Sequence, residues 1–284
     1  MDEVREGLTA RLGVRPLHRI HGGGYTLMEH WLVELEDGTR AFAKVAVDEP
    51  TAGFVRDEHR VYSQVKERFL PDFLGWDDDG ERPILLLEDL TEAHWPPPWR
   101  DGDVAVVFDA LDALHATTPP PDLPAYTLDD LHTWRAVEED PEPFLSLGLC
   151  SADWLEQAMP ELPAATERSV ITGDAFSHLD TRSDNICFVK GRAILVDWNW
   201  AGTANPLIDA AFWMPSLFAE GGPAPMDALP AAGDFTAVVS GFFAPIAGLP
   251  PPEGAPTVRP LQLMQLKVAL PWAVEVLGLP PLDR

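Results

Sequence analysis

The stretch 178–197 limits the folds open to this chain more than any other, because it combines a tight turn with apolar flanks. Two short apolar runs, 186–189 and 193–196, lie on either side of Lys190 and Gly191. Runs of this length around such a pair predict a β-hairpin. The hairpin makes one rigid unit of this stretch, together with the residues that lead into it and out of it.

Four polar residues stand at the two ends of the predicted hairpin. His178, Asp180 and Asn185 form a His-x-Asp-x-x-x-x-Asn pattern before it, and Asp197 closes it. Phosphoryl transfer from a nucleotide needs one carboxylate that accepts the proton of the substrate hydroxyl. It also needs an amide and a second carboxylate that hold magnesium over the phosphates. Each residue alone would be an ordinary loop residue, but together they resemble the catalytic loop and the metal-binding aspartate of kinases.

Residues 1–90 are predicted to form an N-terminal lobe built on a β-sheet. Apolar patterning predicts strands at 17–20, 30–35, 40–47, 73–76 and 83–87. Gly22, Gly23 and Gly24 lie between the first two strands. A glycine-rich turn can bring backbone N–H groups onto phosphates, because no Cβ blocks the approach. A plain flexible hairpin is the alternative.

Lys44 lies inside the otherwise apolar third strand, where a buried lysine needs a partner. Pro50 indicates the start of a helix, and apolar residues then recur at three- or four-residue spacings as far as Phe69. Glu58 falls on the inward face of that helix and is the expected partner. A strand lysine paired with a helix glutamate positions the α- and β-phosphates in kinases. A solvent-facing Lys44 with a separate surface glutamate is the alternative.

The fifth predicted strand changes character abruptly at Glu88, and the segment to Leu90 is predicted to connect two lobes. An extended connector can offer backbone donors and acceptors to a nucleotide base, while Leu87 and Phe42 offer apolar walls. Residues 91–284 are predicted to form a larger, mainly helical lobe. Helices are expected at 103–115, 128–137, 151–159, 206–218, 235–243 and 258–277, with a short strand at 170–171. Strands concentrate early and helices late, so the fold class is α+β with two lobes.

From about residue 17 to residue 279, the chain resembles the aminoglycoside phosphotransferase family of kinase-like small-molecule phosphotransferases. The residues named above carry this resemblance, together with the segments 111–121 and 205–209. It implies a two-lobed protein-kinase-like fold, with ATP or GTP as the phosphate donor and Mg²⁺ as the metal. It also implies that Asp209 is a structural carboxylate that braces the catalytic loop. Acceptor sites of the family are built from C-terminal segments, which here carry Trp213, Glu220, Trp272 and Glu275.

The chain departs from the family pattern in three places. Leu179 stands between His178 and Asp180, where the family commonly has glycine. The glycine-rich turn does not follow the protein-kinase spacing. Arg182 follows Asp180 by two residues, where protein kinases have a lysine that contacts the transferring phosphate and many aminoglycoside phosphotransferases have a histidine. It is therefore a candidate charge-stabilising catalytic group, and pairing with Asp184 is the alternative.

Composition and apolar patterning argue against several classes of protein. A formal net charge of −26 argues against nucleic acid as a partner and is compatible with cationic small molecules. Cys150 and Cys187 do not make a disulfide framework. The first residues form no apolar signal region, and the longest apolar stretch, 235–249, is too short and broken to span a bilayer. We expect a cytoplasmic monomer or homodimer that acts on a small molecule, with neither nucleic acid nor membrane as a partner.

The predicted activity is O-phosphorylation of a small-molecule hydroxyl. The acceptor could be an antibiotic (an aminoglycoside, a macrolide or a nucleoside antibiotic of the capuramycin type) or a metabolite such as choline or homoserine. A nucleotide-binding pseudoenzyme is the main alternative from another class. An α+β hydrolase is disfavoured, because the sequence has no Gly-x-Ser-x-Gly elbow and no metal-ligand histidine cluster.

Overall fold

The structure is a computed structural model that describes residues 2–21, 27–252 and 255–283. The chain divides into two compact units. The first unit comprises Met1–Trp95, Pro120–Asp122 and Asp184–Ala201. The second comprises Pro96–Pro119, Leu123–Ser183 and Gly202–Arg284. The predicted hairpin thus belongs to the first unit, although it follows second-unit residues along the chain.

The regular elements are as follows. The strands are β1 (Arg15–Ile20), β2 (Glu29–Glu34), β3 (Arg40–Val45), β4 (Phe73–Asp77), β5 (Ile84–Glu88), β6 (Ala175–Ser177), β7 (Ile186–Val189), β8 (Arg192–Leu195) and β9 (Gly202–Ala204). The helices are α1 (Asp2–Leu12), α2 (Glu49–Tyr62), α3 (Asp103–Ala116), α4 (Trp134–Glu139), α5 (Glu142–Leu145), α6 (Ala152–Ala158), α7 (Leu162–Arg168), α8 (Leu207–Ala219), α9 (Pro225–Ala228), α10 (Phe235–Phe243) and α11 (Val258–Val276).

The first unit is built on an antiparallel sheet with the strand order β1-β2-β3-β5-β4. One face of this sheet, including Trp31 and Ala43, packs with Leu8 of α1 in a fully buried core. Because side chains alternate along a strand, Phe42 and Lys44 point to the opposite face. Helix α2 contacts β3 and β5. The predicted strands of this sheet are confirmed to within a few residues at each end, whereas α1 was not predicted.

Helix α2 begins where the sequence predicts and ends earlier. Asp48 is its N-cap and forms a reciprocal capping box with Thr51, which stabilises the first turn. The helix ends at Tyr62, so its predicted continuation to Phe69 was wrong. Val65 and Phe69 are nevertheless buried at 7% and 2% exposure. Their spacing therefore reflects the burial of residues that follow the helix, and it does not mean that the helix continues.

The predicted hairpin is confirmed as β7 and β8, whose register pairs Ile186 with Leu195 and Val189 with Arg192. Lys190 and Gly191 form its turn with φ of 50° and 78°. Positive φ at both central residues suits the right-handed twist of the flanking strands.

The second unit is mainly helical, with α8, α10 and α11 in mutual contact. Its core contains the side chains of Trp134, Trp154, Phe235 and Leu266, all at most 5% exposed. Strands β6 and β9 form a short antiparallel pair within this unit. The fold class predicted from the sequence is thereby confirmed. Among the described residues, the structure contains no helix with the length and apolarity needed to cross a membrane.

Two predicted elements of the second unit were wrong. The single helix at 128–137 is replaced by a 3₁₀ turn at Leu128–Asp130 and by α4. The side chain of Thr133 caps α4 by accepting from the backbone N–H of Arg135, so a new helix begins there. The strand predicted at 170–171 is absent, and Val170 is 62% exposed. The strand that leads to His178 is β6 instead.

Candidate active site

Lys44 lies at the centre of an ion-pair cluster in the first unit. Its Nζ atom is 2.6 Å from Oε1 of Glu58 and 2.6 Å from Oδ1 of Asp197. The Lys44 side chain is 9% exposed, that of Glu58 is fully buried and that of Asp197 is 35% exposed. Strand β3, helix α2 and the segment after β8 thus each supply one charged group. We call these three residues the Lys44 cluster.

The electrostatics of the Lys44 cluster keep the lysine charged. Burial acts to lower the pKa of Lys44, but the carboxylates of Asp197 and Glu58 outweigh burial and hold that pKa above its usual value. Burial raises the pKa of Glu58 by more than the Lys44 ammonium lowers it. The cluster therefore presents a fixed cation beside a half-exposed carboxylate, which suits the binding of phosphate and of a metal ion.

Asn185 and Asp197 stand at the open end of the β7–β8 hairpin. Asn185 directly precedes β7, and its carbonyl accepts a hydrogen bond of 3.0 Å from the backbone N–H of Val196. This bond extends the ladder of the hairpin to the residue beside Asp197. Asp197 has φ of 71°, a left-handed conformation that non-glycine residues adopt at a cost and that often marks a functional site.

The donor set at this end of the hairpin fits a hard divalent cation. Amide and carboxylate oxygens are the ligands that Mg²⁺ prefers. Among the described residues, no group of three His, Cys, Asp or Glu side chains could hold a metal ion. Asn185 and Asp197 would supply two oxygen ligands, and Mg²⁺ commonly takes its other ligands from phosphates and water.

Three other predicted nucleotide-binding residues, Phe42, Leu87 and Glu88, lie on the same sheet, and Leu90 follows its fifth strand along the chain. Phe42 is half-buried on β3, and Leu87 lies directly opposite it on β5, 3% exposed. The carboxylate of Glu88 accepts from the backbone N–H of Asp72 at 3.3 Å. The carbonyl of Leu90 accepts from the indole N–H of Trp95 at 3.0 Å. The predicted glycine-rich turn, Gly22, Gly23 and Gly24, lies outside the described residues.

A buried carboxylate organises the loop that follows β6 in the second unit. Oδ1 of Asp209 accepts from the backbone N–H of Leu179 at 2.8 Å and from the hydroxyl of Thr181 at 3.1 Å. Its Oδ2 accepts from the backbone N–H of His178 at 3.0 Å. His115 Nε2 on α3 lies 3.0 Å from the same oxygen. We call these five residues the Asp209 cluster.

The Asp209 cluster explains why the loop holds its shape. Burial acts to raise the pKa of Asp209, but the hydrogen bond and charge of His115, with His178 and the backbone of Leu179, outweigh it and lower that pKa. Asp209 therefore stays ionised and keeps all of its acceptor capacity. Leu179 has φ of 63°, a left-handed conformation that glycine adopts more easily than leucine.

Replacing Asp209 by asparagine is expected to destabilise the protein strongly. Asparagine has the same shape, but its NH₂ group cannot accept, so buried donors lose their partner at a cost of about 1–3 kcal/mol each. Chemical denaturation should show this loss. The control is Asp112→Asn, at an exposed residue of α3, which should show none.

The stability that Asp209 provides should also depend on pH. Because its pKa is lower in the folded protein than in the unfolded chain, Asp209 stabilises the fold above the unfolded pKa of about 3.9, and this stabilisation is lost as the pH falls below that value. The deficit of Asp209→Asn should therefore shrink below about pH 4; an equal deficit at every pH would contradict this role.

Asp180 and Arg182 form an ion pair on the same loop. Nη1 of Arg182 lies 2.8 Å from Oδ1 of Asp180, and the two side chains are 17% and 21% exposed. The backbone N–H of Asp180 donates to Nδ1 of His178 at 3.3 Å. His178 itself is fully buried, so its side chain has no surface to offer a substrate. Asp180 and Arg182 retain the exposure that a group acting on a substrate needs.

The predicted acceptor-binding residues of the second unit differ in exposure. Trp213 is fully buried and Trp272 is 3% exposed, so neither side chain offers a surface to a ligand. Glu220 is half-buried and accepts from the indole N–H of Trp99 at 3.2 Å. Glu275 is exposed on α11. Only the two glutamates thus have surface available for an acceptor.

Two residues that contact predicted site residues, His115 and Trp99, were not themselves predicted as site residues. His115 lies in a segment that was recognised as typical of the family, but its partner Asp209 is far away in sequence. Trp99 lies in a proline-rich segment to which no role could be assigned. Its ring lies 5.6 Å from the ring of Trp213. The available signal for His115 was its position directly after the apolar residues of α3.

The antiparallel sheet with its anchored lysine and the helical unit with its braced loop define a protein-kinase-like fold. The model of the phosphotransferase enzyme family matches residues 21–241. The chain therefore belongs to this family, and it is a small-molecule kinase. The predicted family resemblance is confirmed. Among curated protein sequences, none matches this chain.

Solved structures share this fold at low sequence identity. A macrolide 2'-phosphotransferase from Brachybacterium faecium is 13% identical with a TM-score of 0.54, over 98% of this chain and 90% of that one. A choline/ethanolamine kinase family protein from Mesorhizobium loti is 15% identical with a TM-score of 0.50, over 99% and 88%. An amicoumacin kinase solved with AMP-PNP and Ca²⁺ is 12% identical with a TM-score of 0.53, over 94% and 92%.

Proposed function

We propose that this chain transfers a phosphoryl group from ATP or GTP to a hydroxyl of a small molecule. The observation that carries the proposal is the position of Lys44 between Glu58 and Asp197, at 2.6 Å from each. A buried ammonium held between two carboxylates anchors the α- and β-phosphates in kinases. Phe42 and the connector 88–90 would face the base, and Leu87, which is 3% exposed, would support Phe42 from the opposite strand. The glycine-rich turn at 22–24 would cover the phosphates.

Asp180 would carry out the chemical step at the acceptor. Its carboxylate orients the acceptor hydroxyl and takes its proton as the oxygen attacks the γ-phosphorus. The bond from that phosphorus to the bridging oxygen breaks, and the nucleoside diphosphate leaves with the bond electrons. Leu179 and Thr181, which bond to Asp209, hold the backbone on both sides of Asp180. The loop is therefore preorganised before the acceptor binds.

Asn185 and Asp197 would hold Mg²⁺, since both present oxygen atoms at one end of the hairpin. A metal ion held by these two residues would neutralise charge on the phosphates. Asp197 also contacts Lys44, so it serves both the metal and the anchoring of the lysine.

The acceptor is proposed to be an antibiotic, with resistance as the outcome. Two of the structural neighbours, the macrolide phosphotransferase and the amicoumacin kinase, are named for antibiotic substrates. The neighbour from the choline/ethanolamine kinase family favours a metabolite as the second candidate. Glu220 and Glu275 give either kind of acceptor an acidic contact when it carries an amine.

The test is a phosphate-transfer assay with ATP and with GTP over a panel of aminoglycosides, macrolides, nucleoside antibiotics, choline and homoserine. Transfer to one of them, dependent on Mg²⁺, supports the proposal. The Lys44→Met variant is the control and should be inactive. Nucleotide binding by the parent without any turnover would favour the pseudoenzyme instead.

Replacing Arg182 by alanine is expected to lower kcat by about 10²–10³, the loss seen when a charge-stabilising donor is removed. Arg182→Lys should recover part of this loss, because a point charge keeps the attraction without the planar fork. Steady-state kinetics with the acceptor found above provide the measurement.

The alternative role for Arg182 is to brace the loop through Asp184. On that view Asp184→Ala would be as damaging as Arg182→Ala, and the double variant would be no worse than either single one. A mild effect of Asp184→Ala with a large effect of Arg182→Ala supports action on the phosphoryl group or on Asp180, its observed partner.

A further inference from the structure

The face of the sheet that carries Lys44 also carries an aromatic pair. His30 on β2 lies directly opposite Lys44 on β3 in the strand register. Phe42 precedes Lys44 by two residues and therefore points to the same face. The ring centroids of His30 and Phe42 are 5.2 Å apart, and the ring planes are tilted by 35°.

Both rings keep part of their surface exposed. His30 and Phe42 are half-buried, whereas Trp31 and Ala43, which point to the other face of the same strands, are buried in the core. The side chains on the α1 side of these strands are thus buried in the core. On the other side, two aromatic rings beside Lys44 remain partly exposed. Aromatic side chains with open faces are the usual platform for a base or a sugar.

The charge state of His30 agrees with such a platform. Burial and then the nearby Lys44 ammonium lower the pKa of His30 to about 4. The ring is therefore neutral at physiological pH and presents a planar π-surface. A cationic ring at this place would be repelled by Lys44.

The strand register gives the order of these residues along the strands. Glu88 lies opposite Ala41 and Leu87 opposite Phe42, at the connector end of the strands. A nucleotide with its base at the connector and its phosphates at Lys44 would pass Phe42 and then His30. We infer that His30 is a nucleoside-binding residue, whose ring forms with Phe42 one aromatic wall against the base and ribose. This inference rests on the proposed function and adds a contact to it.

Two substitutions distinguish the effect of the His30 ring from the effect of changing a side chain in this strand. His30→Phe keeps an aromatic ring, whereas His30→Val keeps only an apolar side chain that suits a strand. Calorimetry would measure the binding of AMP-PNP with Mg²⁺, and of inorganic tripolyphosphate as a probe for the phosphate subsite alone. His30→Val should weaken AMP-PNP at least about fivefold. His30→Phe should stay close to the parent, and tripolyphosphate affinity should be the same in all three proteins.

The control is His18→Val, because His18 is an exposed histidine of β1 in the same sheet, and its AMP-PNP affinity should not change. An independent measurement uses the parent alone: the ring proton signals of His30 should shift when AMP-PNP binds and stay in place with tripolyphosphate. Unchanged AMP-PNP affinity in His30→Val, or an equal loss for both probes, overturns the inference and leaves the proposed function standing. A parent that binds neither probe overturns the proposed function itself.

Discussion

Asp180→Ala is expected to lower kcat by about 10²–10⁴, the usual contribution of a positioned general base. The loop around Asp180 is held by Asp209 through the backbone N–H of Leu179 and the hydroxyl of Thr181. Neither bond involves the Asp180 side chain, so the variant should fold and keep its loop. The Lys44 cluster is also untouched, and nucleotide affinity should stay within a few-fold of the parent. Steady-state kinetics and calorimetry with AMP-PNP measure the two quantities.

The Asp180→Asn variant removes the base but keeps the shape of the side chain and one oxygen for Arg182. Its kcat should fall nearly as far as that of the alanine variant, because an amide does not take the proton. Asp174→Ala, an exposed aspartate earlier in the same unit, is the matched control and should keep full activity. An Asp180→Ala protein that turns over at the rate of the parent would show that another group acts as the base.

The sheet and the hairpin could be predicted from the sequence because their signals are local. Apolar alternation and the Lys190-Gly191 turn need only neighbouring residues, and the register of β7 with β8 follows from the turn. The pairing of Lys44 with Glu58 could also be predicted from the sequence. Each is a charged residue among apolar ones, Lys44 in a strand and Glu58 on the inward face of a helix, so each has few other partners. The two residues meet at 2.6 Å.

The remaining features depend on contacts between distant segments. His115 meets Asp209 across 94 residues of sequence, and no pattern in either segment indicates the other. Trp213 looked like an acceptor-binding aromatic but is fully buried, because α8 packs against its neighbours on nearly all sides. The predicted helix at 128–137 is interrupted at 131–133, because Thr133 caps a new helix there. This cap is a short-range signal, but the apolar spacing of 128–137 favoured one continuous helix instead.

Asp197→Ala is expected to abolish the magnesium dependence of nucleotide binding. Loss even of groups that only support metal ligands commonly costs 10- to 100-fold in metal affinity, so loss of a ligand should cost at least as much. In the parent, calorimetry should show tighter AMP-PNP binding with Mg²⁺ than with EDTA. In the variant, the two affinities should coincide. Lys44 keeps its contact with Glu58, so metal-free binding should persist.

The backbone at Asp197 calls for a second variant. Its φ of 71° strains alanine, whereas glycine adopts it freely. Asp197→Gly should therefore lose the magnesium dependence to the same extent, with no contribution from strain. Asp78→Ala is the matched control, because Asp78 also pairs with a cation of the first unit, Arg56 at 2.8 Å, but lies on an exposed turn. If Asp197→Gly still bound AMP-PNP more tightly with Mg²⁺ than with EDTA, by the same factor as the parent, Asp197 would not be a metal ligand. The effect of Asp197→Ala would then have to be assigned to backbone strain, because both variants lose the contact with Lys44.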